Sequence, residues 1–307
     1  MASTRWGLGS SLAFSLMVVA WAGNYLFVRV GELYVAPLWL ATLRAGVGAL
    51  GIGAYLALRP SEVELSARDR RDALLLGLPN TALFLGLWFV AAPSVAPGEA
   101  AVVIYTFPLW VALFSPIALG SRLGRSHWAA VATGFVGVVL VSQPWASGTG
   151  RIPLTPLTEL LVAAVSWAGA TVAFQRRFVP AKLPQANGYQ LLGGASALLA
   201  ASALLGVAHW PPSSPELWAS VAWLGLFGTA FAYGVWFFLL RSVHASSLSA
   251  FAFLVPLTAL ALSAALEGER VDLLQGAGVV CVLSGIYLVG RSPLAHPGIP
   301  PSPRSAG

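Results

Sequence analysis

The chain has 307 residues, of which 57% are apolar and only 9% are charged, whereas a soluble domain has roughly 25% charged residues. Seventeen basic and eleven acidic side chains are too few to cover a water-soluble globule of this length, so the composition excludes that class and predicts an integral membrane protein. The formal net charge of +6 does not indicate a nucleic-acid partner, because the basic residues lie mostly in short connections between apolar runs.

Apolar runs of about the length that spans a bilayer follow one another along the chain. They predict an all-α integral membrane protein with ten transmembrane helices. The predicted spans lie near residues 8–29, 37–58, 73–92, 98–119, 127–143, 157–178, 186–208, 217–240, 246–266 and 273–290. The last segment, residues 291–307, is rich in Pro and Ser and is predicted to be a disordered cytoplasmic tail.

Basic residues in the connections predict the orientation, because Lys and Arg are retained on the cytoplasmic side of a membrane. With ten spans, one side holds only Arg29, Arg151 and Arg270, and the other side holds the remaining basic residues of the connections. This bias predicts a multi-pass protein of the cell (inner) membrane with both termini cytoplasmic. A cleaved secretory signal is the alternative for the first span, since Arg5 precedes an apolar run that reaches Ala20-Trp21-Ala22.

The first two spans carry polar and aromatic side chains that could face a solute. Trp21, Asn24 and Tyr25 lie close together in the first span, and an amide deep in a span faces a cavity or another helix far more often than lipid. In the second span, Arg44 lies about 10 Å below the helix start at 1.5 Å per residue, where an arginine costs roughly 2.5–3.5 kcal/mol unless it finds a partner or a wet cavity. Its guanidinium either forms a fork with a substrate carboxylate or bonds to carbonyls at a neighbouring helix end and stabilises the fold.

Aromatic and small polar residues recur at helical spacing in the later spans. The third span has Thr81, Phe84 and Trp88 on one face, and the fourth span has Tyr105 and Thr106. Further candidates in the second half of the chain are Trp167, Thr171, Thr229, Tyr233, Trp236 and Phe253. A pocket built this way is mostly apolar with a few hydrogen-bonding groups, which suits a small amphipathic solute. The alternative for each aromatic residue is an interfacial belt or packing against lipid.

Pro108 and Pro256 lie in the middle of the fourth and ninth predicted spans. Each proline removes a backbone hydrogen bond and frees the carbonyl four residues earlier, at Ile104 and Ala252, which allows a bend. The two prolines are predicted either to be pivots between two access states or to form static kinks.

The predicted spans hold no constellation for catalysis or metal binding. Glu32, Glu99, Glu159 and Glu267 lie at or near span ends, and the four histidines have no buried partners with which to form a site. We therefore expect no enzyme activity, no cofactor and no metal. Because proton exchange for cationic drugs usually needs a membrane-embedded carboxylate, we predict facilitated movement or coupling by a route other than protons.

An internal repeat is the strongest signal in the chain. A shift of 148 residues lays residues 76–142 over residues 224–290 without a gap, and about 20 of roughly 67 positions are identical. The matched pairs include Gly77 with Gly225, Thr81 with Thr229, Gly86 with Gly234, Trp88 with Trp236, Ser94 with Ser242, Pro108 with Pro256, Arg122 with Arg270, and Gly137 with Gly285. The duplication predicts two units, 8–143 and 157–290. Each unit holds five spans, and this odd number forces the second unit to enter the membrane the opposite way up.

The duplicated unit resembles the EamA domain of the drug/metabolite transporter superfamily over about residues 8–290. The resemblance rests on Trp21-Ala22-Gly23-Asn24-Tyr25-Leu26-Phe27-Val28, Pro37 with Leu43-Arg44, Tyr105-Thr106-Phe107-Pro108-Leu109, Trp167-Ala168, and Phe253-Leu254-Val255-Pro256 followed by Gly268-Glu269. The first unit departs from the family pattern at Gly120-Ser121-Arg122, where the acidic residue is missing. The repetition of Trp21-Ala22-Gly23 as Trp167-Ala168-Gly169 also argues against a cleaved first span. Membership implies an inner-membrane exporter of small metabolites such as amino acids.

Taken with the resemblance, these observations predict a secondary transporter that exports small metabolites by alternating access, with amino acids or related compounds as the solutes. Its partners are the small-molecule substrate and membrane lipid. A broad-range efflux carrier for neutral or hydrophobic compounds is the alternative. A non-transporting membrane scaffold is a weaker one, because a scaffold has no need of inverted halves. The sequence leaves the oligomeric state open, and a monomer is compatible with it.

Overall fold

The computed structural model of the protein describes residues 8–58, 63–119, 125–143, 152–240, 254–268 and 270–291. Within these ranges every regular element is helical, which confirms the predicted all-α class. Six helical segments of the described chain are long and apolar enough to cross a membrane: Gly9–Gly31, Pro37–Leu58, Ala67–Ser94, Pro97–Phe114, Leu154–Arg177 and Pro215–Trp236. Shorter apolar helices lie at Trp128–Ser142, Leu254–Leu266 and Leu273–Leu288. The predicted tail beyond Arg291 and the candidate Phe253 lie outside the described residues.

The helices follow one another with short connections. They are α1 (Leu8–Gly31), α2 (Pro37–Leu58), α3 (Ala67–Gly77), a π-helix (Leu78–Leu83), α4 (Phe84–Ala91), a 3-10 turn (Ala92–Ser94), α5 (Pro97–Ile104), α6 (Phe107–Leu119), α7 (Arg125–Ser142), α8 (Leu154–Arg177), a 3-10 turn (Pro180–Lys182), α9 (Leu183–Leu204), α10 (Pro215–Ala222), a second π-helix (Trp223–Phe231), α11 (Ala232–Leu240), α12 (Leu254–Glu267) and α13 (Leu273–Arg291).

Local sequence explains where several helices begin. Ser66 caps α3 in a reciprocal capping box with Asp69, which satisfies two otherwise unpaired backbone donors. Pro37, Pro97 and Pro215 are the first residues of α2, α5 and α10, where a missing N–H costs nothing and the fixed φ suits a helix. The connections that separate the apolar runs are therefore encoded by turn and cap residues.

The fourth predicted span is not one bent helix. The structure divides it into α5 and α6, with a turn at Tyr105 and Thr106 between them. The Thr106 hydroxyl donates to the Val103 carbonyl at 2.7 Å, at the point where α5 ends. Pro108 is the second residue of α6, so the interruption falls two residues before the proline, which itself occupies a favourable helix-start position. Pro256 is the third residue of α12, and the carbonyl of Ala252 lies outside the described residues.

Helices α7 and α13 pack closely through small residues. Backbone atoms of Gly278 lie against Gly137, and backbone atoms of Ala130 and Gly134 lie against Gly285. Glycine allows two helix backbones to approach in this way because it has no Cβ. The later part of one helix meets the earlier part of the other, so α7 and α13 run antiparallel.

Helices α2 and α9 are also antiparallel neighbours. The hydroxyls of Thr42 and Ser202 lie 2.9 Å apart, near the start of α2 and the end of α9. At the other ends of these helices, Gly188 lies against the side chains of Ile52 and Leu56. The two contacts fix both the direction and the register of the pair.

The buried core lies around α1, α4, α5 and α8. Met17, Ala101 and Leu160 are fully buried there, together with Phe89. By contrast, large apolar side chains such as Leu50 are exposed on the outer surface of the described chain. An apolar exterior of this kind suits lipid, because lipid tails are as apolar as leucine.

Candidate functional site

A small cavity lies between α1, α2, α4, the end of α5, α8 and α11, and it is called the central cavity below. It is lined by Trp21, Asn24, Tyr25, Arg44, Phe84, Trp88, Ile104, Tyr105, Trp167 and Tyr233. Residues from both predicted units therefore form its wall. Its volume of about 20 Å³ is enough for about one water molecule, so its own side chains fill most of the space between these helices.

Aromatic rings make up most of the cavity wall. The Phe84 and Trp167 rings are stacked with centroids 4.9 Å apart, and the Tyr25 and Trp88 centroids are 4.8 Å apart. Trp21 meets Trp167 edge to face at 6.3 Å. These separations fall in the range of favourable aromatic pairs. The wall is therefore a connected aromatic lattice that holds its rings in defined orientations.

Arg44 is the charged residue of the central cavity and is 3% exposed. Its Nε donates to the Thr229 hydroxyl at 3.2 Å, and its Cζ lies 4.9 Å from the centroid of the Trp88 ring. Its Nη1 is buried and has no hydrogen-bond partner among the described residues. A hydroxyl and an aromatic face are thus two of its contacts. A buried donor without a partner costs free energy unless a ligand or water satisfies it.

Asn24 connects this arginine to the first helix. When its amide is oriented to satisfy its surroundings, the oxygen accepts from Arg44 Nη2 at 3.3 Å and the nitrogen donates to the Ala20 carbonyl at 3.2 Å. Trp21 of the same helix donates its indole N–H to the Gly228 carbonyl at 3.2 Å. Helix α1 is therefore bonded to both α2 and the second π-helix at the level of the cavity.

A second cavity of about 60 Å³ lies beside the central one, towards the end of α8 and the start of α9. Trp21, Trp167 and Tyr233 line both cavities and separate them. Thr171 and Trp236, both predicted substrate-binding residues, line the second cavity. A short movement of the shared rings would join the two spaces.

Most of the predicted site residues line one of these two cavities. Thr81 and Thr229, the threonines of the two π-helices, line neither of them. Thr229 touches Arg44. Thr81 instead donates to Gln190 Oε1 at 2.8 Å, and neither Thr81 nor Thr106 lines the central cavity. The π-helix at Leu78–Leu83 changes the phase of the third span, so Thr81 does not share a face with Phe84 and Trp88 as an α-helix would require.

Sequence reasoning missed three residues of this region. Gln190 bonds to Thr81, Phe107 stacks on Trp167 with centroids 3.9 Å apart, and the buried Asn80 Oδ1 has no partner among the described residues. Gln190 carried a usable signal, because it lies 146 residues after Arg44, the same spacing that separates Trp21 from Trp167.

Polar contacts join helices near the start of α5, whose other end, at Ile104, lines the central cavity. Gln275 donates to Glu99 Oε1 at 2.7 Å, and Gln143 donates to Asp272 Oδ2 at 2.7 Å. Hydrogen bonds from the Gln275 backbone and the Gln143 side chain lower the pKa of Asp272. These contacts tie α5 and α7 to α13 at the start of that helix.

Comparison with known proteins covers nearly the whole chain. The model of the EamA-like transporter family matches residues 8–143 and 157–291. An uncharacterized inner membrane transporter, YedA, of Escherichia coli is 28% identical over 92% of this chain and 93% of its own length. A probable amino-acid metabolite efflux pump of Salmonella typhimurium is 28% identical over 89% of this chain and 92% of its own.

Two further comparisons agree with this. An uncharacterized transporter, YoaV, of Bacillus subtilis is 23% identical over 89% of this chain and 93% of its own length. A crystal structure superposes with a TM-score of 0.67 and 20% identity over 92% of this chain and 98% of that one, which shows that the fold is shared. With both matched segments together spanning most of the sequence, the chain belongs to the EamA-like transporter family.

Proposed function

We propose that the protein is a secondary transporter that exports small metabolites, amino acids or related compounds, by alternating access. It does so as ten transmembrane helices arranged in two inverted five-helix repeats, 8–143 and 157–290, in the inner membrane with both termini cytoplasmic. The observation that carries the proposal is the central cavity itself, which both units line and which contains a buried arginine with an unpaired donor.

Helix directions support the inverted arrangement. Helices α2 and α9 begin 146 residues apart, at Pro37 and Leu183, and they run antiparallel. The closely packed pair α7 and α13 contains the matched residues Gly137 and Gly285 and also runs antiparallel. Equivalent helices are antiparallel when the repeats are related by an axis in the membrane plane, and parallel when the axis is normal to the membrane. Both pairs fit the first case.

The small volume of the central cavity supports a mechanism in which the surrounding helices move. A volume of about 20 Å³ cannot hold a metabolite, so a solute must enter through a rearrangement of the surrounding helices. Both units contain a π-helix, and the two π-helices overlap after the 148-residue shift. The turn before Pro108 separates α5 from α6. Irregular helical backbone of this kind marks places where helices can bend. Pro108 and Pro256 are proposed pivots.

A carboxylate-bearing solute suits Arg44. A guanidinium recognises a carboxylate through two parallel hydrogen bonds, and Nη1 is available for one of them. Asn24 and the tyrosines of the wall provide further hydrogen-bonding groups. The name of the Salmonella relative, a probable amino-acid metabolite efflux pump, supports the same class of solute.

The proposal predicts that transport depends on the planar guanidinium of Arg44. The purified full chain in liposomes should catalyse counterflow of one or more members of an amino-acid and metabolite panel. Arg44→Lys keeps the charge but loses the planar fork, so we expect the folded variant to lose most of this transport. Arg68→Lys, at a side chain that is 80% exposed, is the matched control and should transport like the parent.

Two outcomes would contradict this proposal: absence of counterflow for every solute in the panel, or undiminished transport by Arg44→Lys. The same liposomes test the energy coupling, since facilitated movement requires no pH gradient. The residues that line the central cavity include no Asp or Glu. Complete dependence of transport on an imposed pH gradient would therefore contradict that part of the proposal.

A broad efflux role for neutral or hydrophobic compounds is the second candidate. An apolar cavity of about 570 Å³ lies between α2, α9 and α11, with Tyr55, Asn187 and Phe238 in its wall. This volume falls within the range of drug-sized sites. Relief of a sensitive host from dyes or antibiotics, without relief from amino-acid analogues, would favour this role. A host that gains no resistance to any solute would instead favour the scaffold.

A further inference from the structure

We propose that the central cavity selects solutes with a net charge of −1, a carboxylate on an apolar body without an ammonium group, over zwitterionic amino acids. The inference rests on the proposed function and names the preferred substrate class of the same site. It follows from the difference between Arg44 and Gln190, which occupy equivalent places in the two halves.

Both residues contact a threonine hydroxyl of the other half, Arg44 as the donor and Gln190 as the acceptor. Helices α2 and α9 are both 22 residues long and begin 146 residues apart, so Arg44 and Gln190 have the same position along them. Arg44 Nε donates to the Thr229 hydroxyl at 3.2 Å, and Gln190 Oε1 accepts from the Thr81 hydroxyl at 2.8 Å. Thr81 and Thr229 are themselves a matched pair of the internal repeat. Each half thus places a side chain on the threonine of the other half's π-helix.

The positive charge is therefore not needed for this packing. Gln190 is fully buried and forms the cross-repeat bond as a neutral amide, with its Nε2 donating to Asn187 at 2.9 Å. Arg44 is also buried and carries a positive charge, and its Nη1 has no hydrogen-bond partner among the described residues. Burial of a charge without a counter-ion is strongly unfavourable. An anionic partner that enters the cavity would explain why the position holds arginine, and a solute carboxylate is such a partner.

The other lining residues determine the net charge of that solute. Around Arg44 the cavity wall consists of aromatic rings, Ile104 and Asn24, with no acidic side chain among the lining residues. A monoanion neutralises the site. A zwitterion brings an ammonium group into the same small space, close to the guanidinium and without a carboxylate partner. Aromatic faces attract an ammonium, but they recover only part of its lost hydration and do not cancel the repulsion from Arg44.

The same wall favours an apolar body. Phe84, Trp167 and Trp21 present ring surfaces that gain from burying hydrocarbon. The Arg44 guanidinium lies over the Trp88 ring, 4.9 Å from its centroid, so the wall combines one cationic group with apolar ring surfaces. A solute with a carboxylate at one end and a hydrocarbon group at the other matches this polarity.

Three probes with one branched apolar body separate the charge classes. At pH 7, 4-methyl-2-oxopentanoate carries −1, leucine carries 0 and 3-methylbutylamine carries +1. Their affinities for the purified full chain can be measured by quenching of tryptophan fluorescence and by the shift of the thermal unfolding midpoint. We expect the oxo acid to bind on the order of tenfold more tightly than leucine, and the amine to bind most weakly.

The decisive variant is Arg44→Gln, which copies the other half. Because the Thr229 hydroxyl donates to the Leu224 carbonyl, a glutamine at position 44 would donate its Nε2 to Thr229 in place of the arginine Nε, and we expect Arg44→Gln to fold with an unfolding midpoint at or above that of the parent. Its affinity for the oxo acid should fall on the order of tenfold, and the preference over leucine should disappear. Arg68→Gln, at an exposed site, is the matched control and should keep the preference.

Each contrary result overturns the inference. For the parent protein, these results are binding of leucine as tight as or tighter than that of the oxo acid, and no binding of the oxo acid. For Arg44→Gln, they are a retained preference for the oxo acid and a failure to fold. Failure to fold would show that the charge is needed for packing. The counterflow panel separates this failure from failure of the proposed function. Transport of amino acids without a preference for the oxo acid rejects only the inference, whereas absence of all transport rejects the function.

Discussion

Glu32 lies at the connection between α1 and α2, where burial disfavours the charged form of its carboxylate. Its Oε1 is buried and has no hydrogen-bond partner among the described residues. Burial raises the pKa of Glu32 to about 8, and nearby Arg29 only partly opposes this effect. Between the usual carboxyl pKa and about 8, the folded chain holds a proton that the unfolded chain has lost. Glu32 therefore makes the folded state less stable as the pH rises through this interval.

Glu32→Gln should remove this part of the pH dependence, because the amide stays neutral. The thermal unfolding midpoint in detergent, measured at pH 5 and pH 8.5, should fall less in Glu32→Gln than in the parent, and the variant should be the more stable of the two at pH 8.5. Glu64→Gln, at an exposed position, controls for the substitution itself. An equal fall in Glu32→Gln and the parent would reject the assignment.

Most of the residues around the central cavity could be predicted from their type. Asn24 and Arg44 are polar groups within apolar runs, and such groups are costly unless they face a cavity or a partner. Gln190 satisfies the same criterion, but the 148-residue shift that aligns later helices does not align it with Arg44. The shift of 146 residues does, because the connections between helices in the two units differ by two residues.

At the scale of the helices, hydropathy predicted where apolar helices occur but not their internal irregularities. The turn at Tyr105 and Thr106 and the two π-helices contain the same residue types as the helices around them. Hydropathy averages over such segments, and the choice between α and π bonding depends on packing that the sequence pattern does not specify. The α-helical spacing therefore predicts Thr81 on the face of Phe84 and Trp88, whereas in the structure Thr81 contacts Gln190.

The packing of α7 against α13 provides a test at this scale. A Cβ on Gly137 would lie 2.6 Å from both the Gly278 carbonyl oxygen and the Val282 nitrogen, which are backbone atoms that cannot rotate aside. Gly137→Ala gains about 1 kcal/mol of helix propensity but overpacks the interface at a typical cost of about 1–3 kcal/mol. We expect a net loss of stability, measured as a lower unfolding midpoint.

Gly276→Ala is the matched control, since a Cβ there meets no heavy atom within 4 Å. It makes the same substitution in α13 without the steric conflict and should leave the midpoint unchanged or raise it. A Gly137→Ala variant as stable as Gly276→Ala would show that the two helices separate easily.

For the whole molecule, the internal repeat and the contacts support each other. The sequence shift pairs Thr81 with Thr229 and Gly137 with Gly285, and in each pair both members contact the other half through equivalent neighbours. Reciprocal contacts of this kind arise when two similar units face each other across a two-fold axis. The odd number of predicted spans per unit predicts such an axis, but the sequence does not predict which side chains of the two units meet.

The orientation of the two units can be tested with one pair of equivalent residues. Arg68 and Glu216 lie in the first turns of α3 and α10, 148 residues apart, and both are exposed. Inverted units place these residues on opposite faces of the membrane, whereas units of the same orientation place them on one face. Single cysteines at the two positions, in a chain where Cys281 is replaced by Ala, can be labelled in intact cells with a membrane-impermeant maleimide.

We expect Glu216→Cys to react in intact cells and Arg68→Cys to react only after permeabilisation. The second expectation follows from the basic residues of the α2–α3 connection, which hold that side in the cytoplasm. Reaction of both cysteines from the same side would mean that the two units point the same way. The central cavity between them could then no longer open to alternate faces through an exchange of conformations between the halves, and alternating access by inverted repeats would have to be abandoned.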